Sequence, residues 1–295
     1  MEIAPSSRDA WRQQIQGRFI VNDAAINPKA KRGRRQAIRT FVLLVSIPLF
    51  PVTIWYYSPY LPFMGLMEGV VSGSLLLFAT LFIAAIPFGR LFCGWVCQAG
   101  AIQHFEAQSV GKPLRHNWAR WIKFLVWAPW AGGILALLLR ALQAGKGLRP
   151  DFFYNTDHGI SLTMAASYVI YGVVLFLVIL LAVLVGKRGF CHTACWIAPF
   201  MVFGRGLGSL LRLPSLRLRA DPAACNSCGL CDRNCPMSLP VKELVLERAG
   251  VSDRDCILCF QCADCCAKHA IKLGFDAKSG ERRVGAHERA MGEES

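Results

Sequence analysis

Four long apolar stretches dominate the chain, separated by short charged or turn-rich segments. They run Thr40–Tyr57, Gly69–Phe88, Trp118–Leu139 and Ala165–Gly186. A helix that spans a bilayer needs about 20 mostly apolar residues, so each stretch is a candidate span. The first contains Pro48 and Pro51 and ends in Trp55, Tyr56 and Tyr57, aromatics of the kind that settle at a membrane interface. The third opens with Trp118, Trp121 and Trp127 and carries Lys123, expected to snorkel to the interface on its long stem. The fourth is rich in β-branched residues and leucine. A buried core helix explains one such stretch, but four of them in a small chain leave little for water to face. The pattern predicts an all-α membrane domain of four transmembrane helices over residues 37–215.

Charge sharpens this picture. The chain is 54% hydrophobic yet carries a formal charge of +14, a combination foreign to soluble domains. Residues 220–295 hold ten Lys/Arg against twelve Asp/Glu, so the positive excess belongs to the apolar part. Basic residues bracket the apolar stretches, which points to a membrane surface and away from nucleic acid. The N-terminal segment 1–36 and its junction with the first stretch carry Lys29, Lys31, Arg32, Arg34, Arg35 and Arg39. Arg90, Lys112 and Arg115 lie between stretches two and three, Arg120 and Lys123 at the start of the third, and Lys187 and Arg188 follow the fourth. No Lys or Arg lies between the first two stretches, and only Arg140, Lys146 and Arg149 lie between the last two. The alternation predicts a multi-pass protein of the cell inner (cytoplasmic) membrane with both termini cytoplasmic. The basic N-terminus has no apolar signal core, so it reads as a topology determinant.

The chemistry is carried by cysteine. Eight of the thirteen cysteines form two runs, Cys225-x2-Cys228-x2-Cys231-x3-Cys235 and Cys256-x2-Cys259-x2-Cys262-x3-Cys266. This is the bacterial two-cluster ferredoxin spacing, in which the fourth cysteine of each run crosses to the other cluster. It assigns Cys225, Cys228, Cys231 and Cys266 to one [4Fe–4S] cluster, and Cys235, Cys256, Cys259 and Cys262 to the second. Zinc knuckles need only paired CxxC motifs, and a disulfide framework does not pack thiols this closely. The second run departs twice: Ala267 stands where a proline follows the first run, and Cys265 adjoins Cys266. The x3 spacing makes Cys266 the ligand and Cys265 a spare thiol. Residues 216–275 are therefore expected to form a small α+β ferredoxin-type domain, with a polar tail over 276–295.

Four further cysteines form two CxxxC pairs, Cys93 with Cys97 and Cys191 with Cys195, each just past an even-numbered stretch. On a helix, residues four apart share a face, so each pair would aim both thiols the same way. Buried structural cysteine is the plain alternative. Repetition at two equivalent places argues instead for one shared metal or cluster site at the cytoplasmic boundary. His192 and His104 lie near these pairs and read first as polar interfacial residues. Asp157, His158 and Glu68 on the far side could relay protons, although helix capping and interfacial placement explain them too. No GxGxxG or P-loop pattern is present, so no nucleotide or flavin is signalled.

The ordered cysteines, together with Phe92-Cys93-Gly94-Trp95-Val96-Cys97 and Gly100-Ala101-Ile102-Gln103, resemble the NapH/NosR/CcoG-type family of membrane ferredoxins over residues 36–275. The family has a proline after each CxxxC, whereas this chain has Gln98 and Trp196, with Pro199 displaced. The resemblance implies an integral membrane iron–sulfur protein relaying electrons between the quinone/quinol pool and a redox protein partner. It would act as a subunit of a respiratory or reductase system rather than as a complete enzyme. The alternative is a copper- or metal-handling reductase or assembly factor using the membrane CxxxC pairs.

Overall fold

A computed structural model describes residues 33–110, 113, 118–144, 147–163, 165–248 and 250–276. Lys29, Lys31, Arg32, Lys112, Arg115, Lys146 and the tail beyond Asp276 lie outside the described residues. The first apolar stretch forms α1 (Arg34–Thr53), which runs through a 3-10 turn at Ile54–Tyr57 into α2 (Leu61–Glu68). Gly69, at φ 77°, ends α2 in the left-handed region that glycine enters without cost. A short strand β1 (Val70–Ser72) then pairs in parallel with β2 (Arg149–Asp151), on the side of the molecule opposite the ferredoxin cysteines. The remaining long apolar helices are α3 (Gly73–Phe88), α6 (Ala119–Gln143) and α7 (Ala165–Val185).

Three segments are long and apolar enough to cross a bilayer: Arg34–Glu68, Arg120–Gln143 and Ala165–Val185. The second sequence stretch is shorter than expected. Its first residues form β1, and α3 keeps 16 residues, about 24 Å at 1.5 Å per residue, against a hydrocarbon core of about 30 Å. Leu125 on α6 and Val169 and Phe176 on α7 are exposed, as lipid-facing positions should be. Lys123 does not snorkel. It is buried and ion-paired to Asp255 of the ferredoxin domain, which compensates its charge where an interface would otherwise have to.

Each CxxxC interrupts the helical run. The first pair lies on α4 (Leu91–Trp95) and the break before α5 (Gln98–Val110), the second on α8 (Gly189–Thr193) and the break before α9 (Ile197–Leu210). The packing is crosswise: α9 lies along α3, and α5 lies along α7 and α1. Gly204 and Gly208 of α9 make this possible, because a Cβ there would sit 2.5 Å and 2.7 Å from the carbonyls of Phe82 and Ile86. Small residues four apart on a membrane helix permit such backbone approach. The exchange brings the two CxxxC turns face to face.

The ferredoxin domain begins at β3 (Ser215–Ala220), which pairs antiparallel with β4 (Ile271–Asp276), Ser215 opposite Asp276. Between them lie α10 (Leu230–Arg233), α11 (Val241–Arg248) and α12 (Gln261–Asp264). The two cysteine runs repeat one backbone path. Left-handed φ values recur at Ser227 and Leu258 (57° and 50°), Gly229 and Phe260 (71° and 62°), and Ser238 and His269 (51° and 50°). One continuous core, including Phe78, Cys93, Met201, Met237 and Ile257, joins this domain to the membrane helices.

Candidate functional site

Cys93, Cys97, Cys191 and Cys195 converge. All four are buried, at 8% exposure or less, and the strongest thiol neighbours of Cys97 are Cys93, Cys191 and Cys195. The crosswise packing, not a shared helix face, produces this. Each pair has its first thiol on a short helix and its second in the break that follows, so the expectation of one continuous helix through each pair does not hold. Burial raises the thiol of Cys195, with Cys191 and Cys93 adding to it, to about 12. Four crowded buried thiolates are costly unless positive charge meets them.

That charge is present. Arg90 and Arg188 each stand three residues before the first cysteine of a pair, in the repeated order Arg-x-Phe-Cys-x3-Cys. Both are fully buried, and Arg39 and Lys123 are buried at 1% exposure. Arg188 Nη1 donates to the Cys93 carbonyl at 3.0 Å, and Arg39 Nε to the Gly94 carbonyl at 2.8 Å. Gly100 leaves room for this, since a Cβ there would lie 2.9 Å from the Cys93 carbonyl and 3.1 Å from Arg188 Nη1. Among the described residues Asp255 is the only buried acid. Burial alone would raise its carboxyl, but Arg90 and Lys123 outweigh that and hold it at about 2. Arg90 Nε and Nη2, Arg188 Nε and Nη2, and Arg39 Nη2 remain buried with no hydrogen-bond partner among the described residues. Four buried cations against one buried anion, with orphaned donors beside four thiols, is an environment built for an anion.

His192, between the second pair, is fully buried, and burial pulls its pKa down to about 3, so its imidazole is neutral. His104 is buried on α5 with its ring edge-on to Phe105. On the far side His158 Nδ1 lies 2.6 Å from Asp157, both exposed, and the Tyr154 hydroxyl donates to Glu68 at 2.9 Å.

In the ferredoxin domain, Cys235, Cys256, Cys259 and Cys262 line one apolar cavity together with Leu218 and Ile257. All four are buried, and burial with Cys259 and Cys256 nearby pushes the Cys235 thiol up to about 12. This is the second ligand set expected from the spacing. Of the other set, Cys228 is exposed and Cys225, Cys231 and Cys266 are half-buried. Cys265 lies among them, with Cys231, Cys266 and Cys228 as its thiol neighbours. The repeated backbone nevertheless puts Cys266 where Cys235 stands: Ser238 N–H donates to the Cys235 carbonyl as His269 N–H does to Cys266.

The family described as "4Fe-4S binding domain" matches residues 72–117 and 168–214. These are the two membrane halves that carry the CxxxC pairs, so the motif order is an internal repeat. Three relatives extend the likeness. The ferredoxin-type protein NapH of Haemophilus influenzae is 27% identical over 67% of this chain and 67% of its own. The putative electron transport protein YccM of Escherichia coli is 22% identical over 79% and 72%. The methylamine utilization ferredoxin-type protein MauN of Methylobacillus flagellatus is 24% identical over 77% and 78%. The chain resembles the NapH-type ferredoxin proteins. These relatives indicate an iron–sulfur electron-transfer protein, and three of this chain's helical segments are long and apolar enough to cross a membrane. No solved structure matches it.

Sequence reasoning took Arg39, Arg90, Arg188 and Lys123 only as topology or interface residues and missed Asp255. The signal for two of them was legible: the same Arg-x-Phe-Cys precedes both pairs.

Proposed function

We propose that this NapH-like protein carries electrons between a membrane quinol and a redox protein, using two [4Fe–4S] clusters in the ferredoxin domain and a third at the membrane thiols. Cys225, Cys228, Cys231 and Cys266 hold one cluster, and Cys235, Cys256, Cys259 and Cys262 the other. Cys93, Cys97, Cys191 and Cys195 hold the third. The observation that carries the reading is the surplus of buried cations around the four membrane thiols. Each bound cluster supplies one-electron chemistry, and hydrogen bonds, charge and burial around it tune its potential. Arg90, Arg188 and Arg39 neutralise thiolate charge and hold the two CxxxC turns in register. The apolar lining excludes water from the Cys235 set. The chain is multi-pass in the inner membrane with α3 as a fourth, short span, and both termini face the cytoplasm.

One observation favours the copper reading. Met201 Sδ lies 3.4 Å from Cys93 Sγ, and thiolate with thioether is the soft pair that selects Cu(I). Against it, no three His, Cys, Asp or Glu among the described residues are arranged to hold a single metal ion, whereas a cubane spreads its four thiolates apart. The test is anaerobic mixing of the purified protein with a reduced short-chain quinol. Cluster reduction that disappears in Cys93→Ser/Cys191→Ser supports the proposal. Absence of quinol-dependent reduction in the unmutated protein, with Cu(I) bound at the four thiols, supports the copper reading instead.

A further inference from the structure

The two cysteine runs look equivalent in sequence, yet the fold treats them in opposite ways. The second run is clamped to the membrane domain along its whole length. Trp95 Nε1 donates to the Leu258 carbonyl at 3.0 Å, and Gln36 Nε2 to the Cys259 carbonyl at 2.9 Å. Arg205 Nη1 donates to the Asp253 carbonyl at 3.0 Å, and Arg90 and Lys123 both pair with Asp255. At the centre, Gly94 of the first CxxxC abuts the second run's backbone: a Cβ there would meet the Ile257 carbonyl at 2.3 Å. The first run is held more sparsely: Arg120 Nη2 donates to the Ser238 carbonyl at 3.2 Å, past its last cysteine, and no hydrogen bond from the membrane helices reaches Asn226–Gly229 among the described residues. Lys187 reaches the Arg233 carbonyl at 3.3 Å from an exposed position, and Cys228 is the one exposed cysteine among those described.

We propose that the Asn226-Ser227-Cys228-Gly229 loop is the docking face for a water-soluble protein carrying a one-electron centre, and that the clamp seals the second run against the membrane thiols. The proposal rests on the cluster assignment above and adds a polarity to it. A soluble protein reaches the thiolates of the Cys225 set through the exposed loop. It does not reach the Cys235 set, whose four thiols face an apolar cavity. The near-neutral ferredoxin part, against a strongly basic remainder, also suits a soluble partner better than an anionic lipid surface.

The experiment uses the full chain in lipid nanodiscs, reduced anaerobically, with a dysprosium chelate as a water-soluble relaxation agent read by EPR power saturation. The chelate should relax one ferredoxin signal only, the one that is absent in Cys228→Ala and retained in Cys259→Ala. In Gly94→Val, which keeps every thiol but wedges the clamp open, the second signal should become sensitive as well. Ferric cytochrome c is the protein-sized probe: one electron leaves a reduced cluster and reduces one haem. Its reduction should be lost in Cys228→Ala, whose remaining clusters stay reduced by EPR. Relaxation of the signal that Cys259→Ala removes, or unimpaired haem reduction by Cys228→Ala, would overturn the proposal. Iron analysis of the same samples separates the two levels: lack of membrane-site iron sinks the third cluster but leaves the dysprosium result readable.

Discussion

Asp255 is the residue on which the union of the two domains most depends. Arg90 Nη1 lies 3.0 Å from its Oδ1, Lys123 Nζ reaches the same oxygen, and all three side chains are fully buried. Asp255→Asn removes the only buried acid among the described residues and leaves two cations facing an amide. Breaking a buried pair in this way costs about 3–5 kcal/mol. Even the lower figure multiplies the undocked population about a hundredfold, since each 1.4 kcal/mol is about a factor of ten. Lys123→Met should cost less, because Arg90 still neutralises the carboxylate. The double variant should then be more stable than Asp255→Asn alone, because the coupling between these neighbours, about 0.5–3 kcal/mol, exceeds the cost of Lys123→Met. Chelator-driven iron loss from the reduced, nanodisc-embedded protein reads the undocked population through bleaching of the visible iron–sulfur absorbance. Iron loss by Asp255→Asn at the unmutated rate, or a double variant no slower than Asp255→Asn, would refute the reasoning.

The fold and the site make other predictions. Gly204→Leu and Gly208→Leu should each destabilise the membrane domain by about 1–3 kcal/mol through overpacking against the carbonyls of α3, measured by thermal unfolding in detergent. Gly189→Ala should disturb the α7–α8 turn, because a Cβ there would sit 2.1 Å from the Leu181 carbonyl; the readout is membrane-site iron. Arg188→Gln should lower iron at the membrane thiols while leaving the ferredoxin signals intact, since it removes buried charge and the bond to Cys93. Reporters fused after Gly65 and near Lys146 should read periplasmic, and those after Ser109 and at the C-terminus cytoplasmic; a periplasmic C-terminus would reverse the orientation.

Much of this was legible in the sequence because the chemistry is encoded by local spacing. The x2-x2-x3 runs predicted that Cys235 would join Cys256, Cys259 and Cys262, and these four line one cavity. The two CxxxC pairs announced a shared site, and they converge. What escaped was set by tertiary contact. Lys123 reads as an interfacial lysine until Asp255, 132 residues away, meets it. The helix breaks at Cys97 and Cys195 were invisible to a periodicity argument that assumed one helix through each motif. The shortening of the second stretch follows from β1, whose partner β2 lies beyond α6 in the chain. The exchange of α5 and α9 was hinted at only by Gly204-x3-Gly208.

The most direct test of the central claim is iron counted per chain in protein purified without oxygen. The account predicts about twelve irons, three cubanes, falling to about eight in Cys93→Ser/Cys191→Ser with the ferredoxin EPR signals unchanged. About eight irons in the unmutated chain, unaltered by those substitutions, would contradict it.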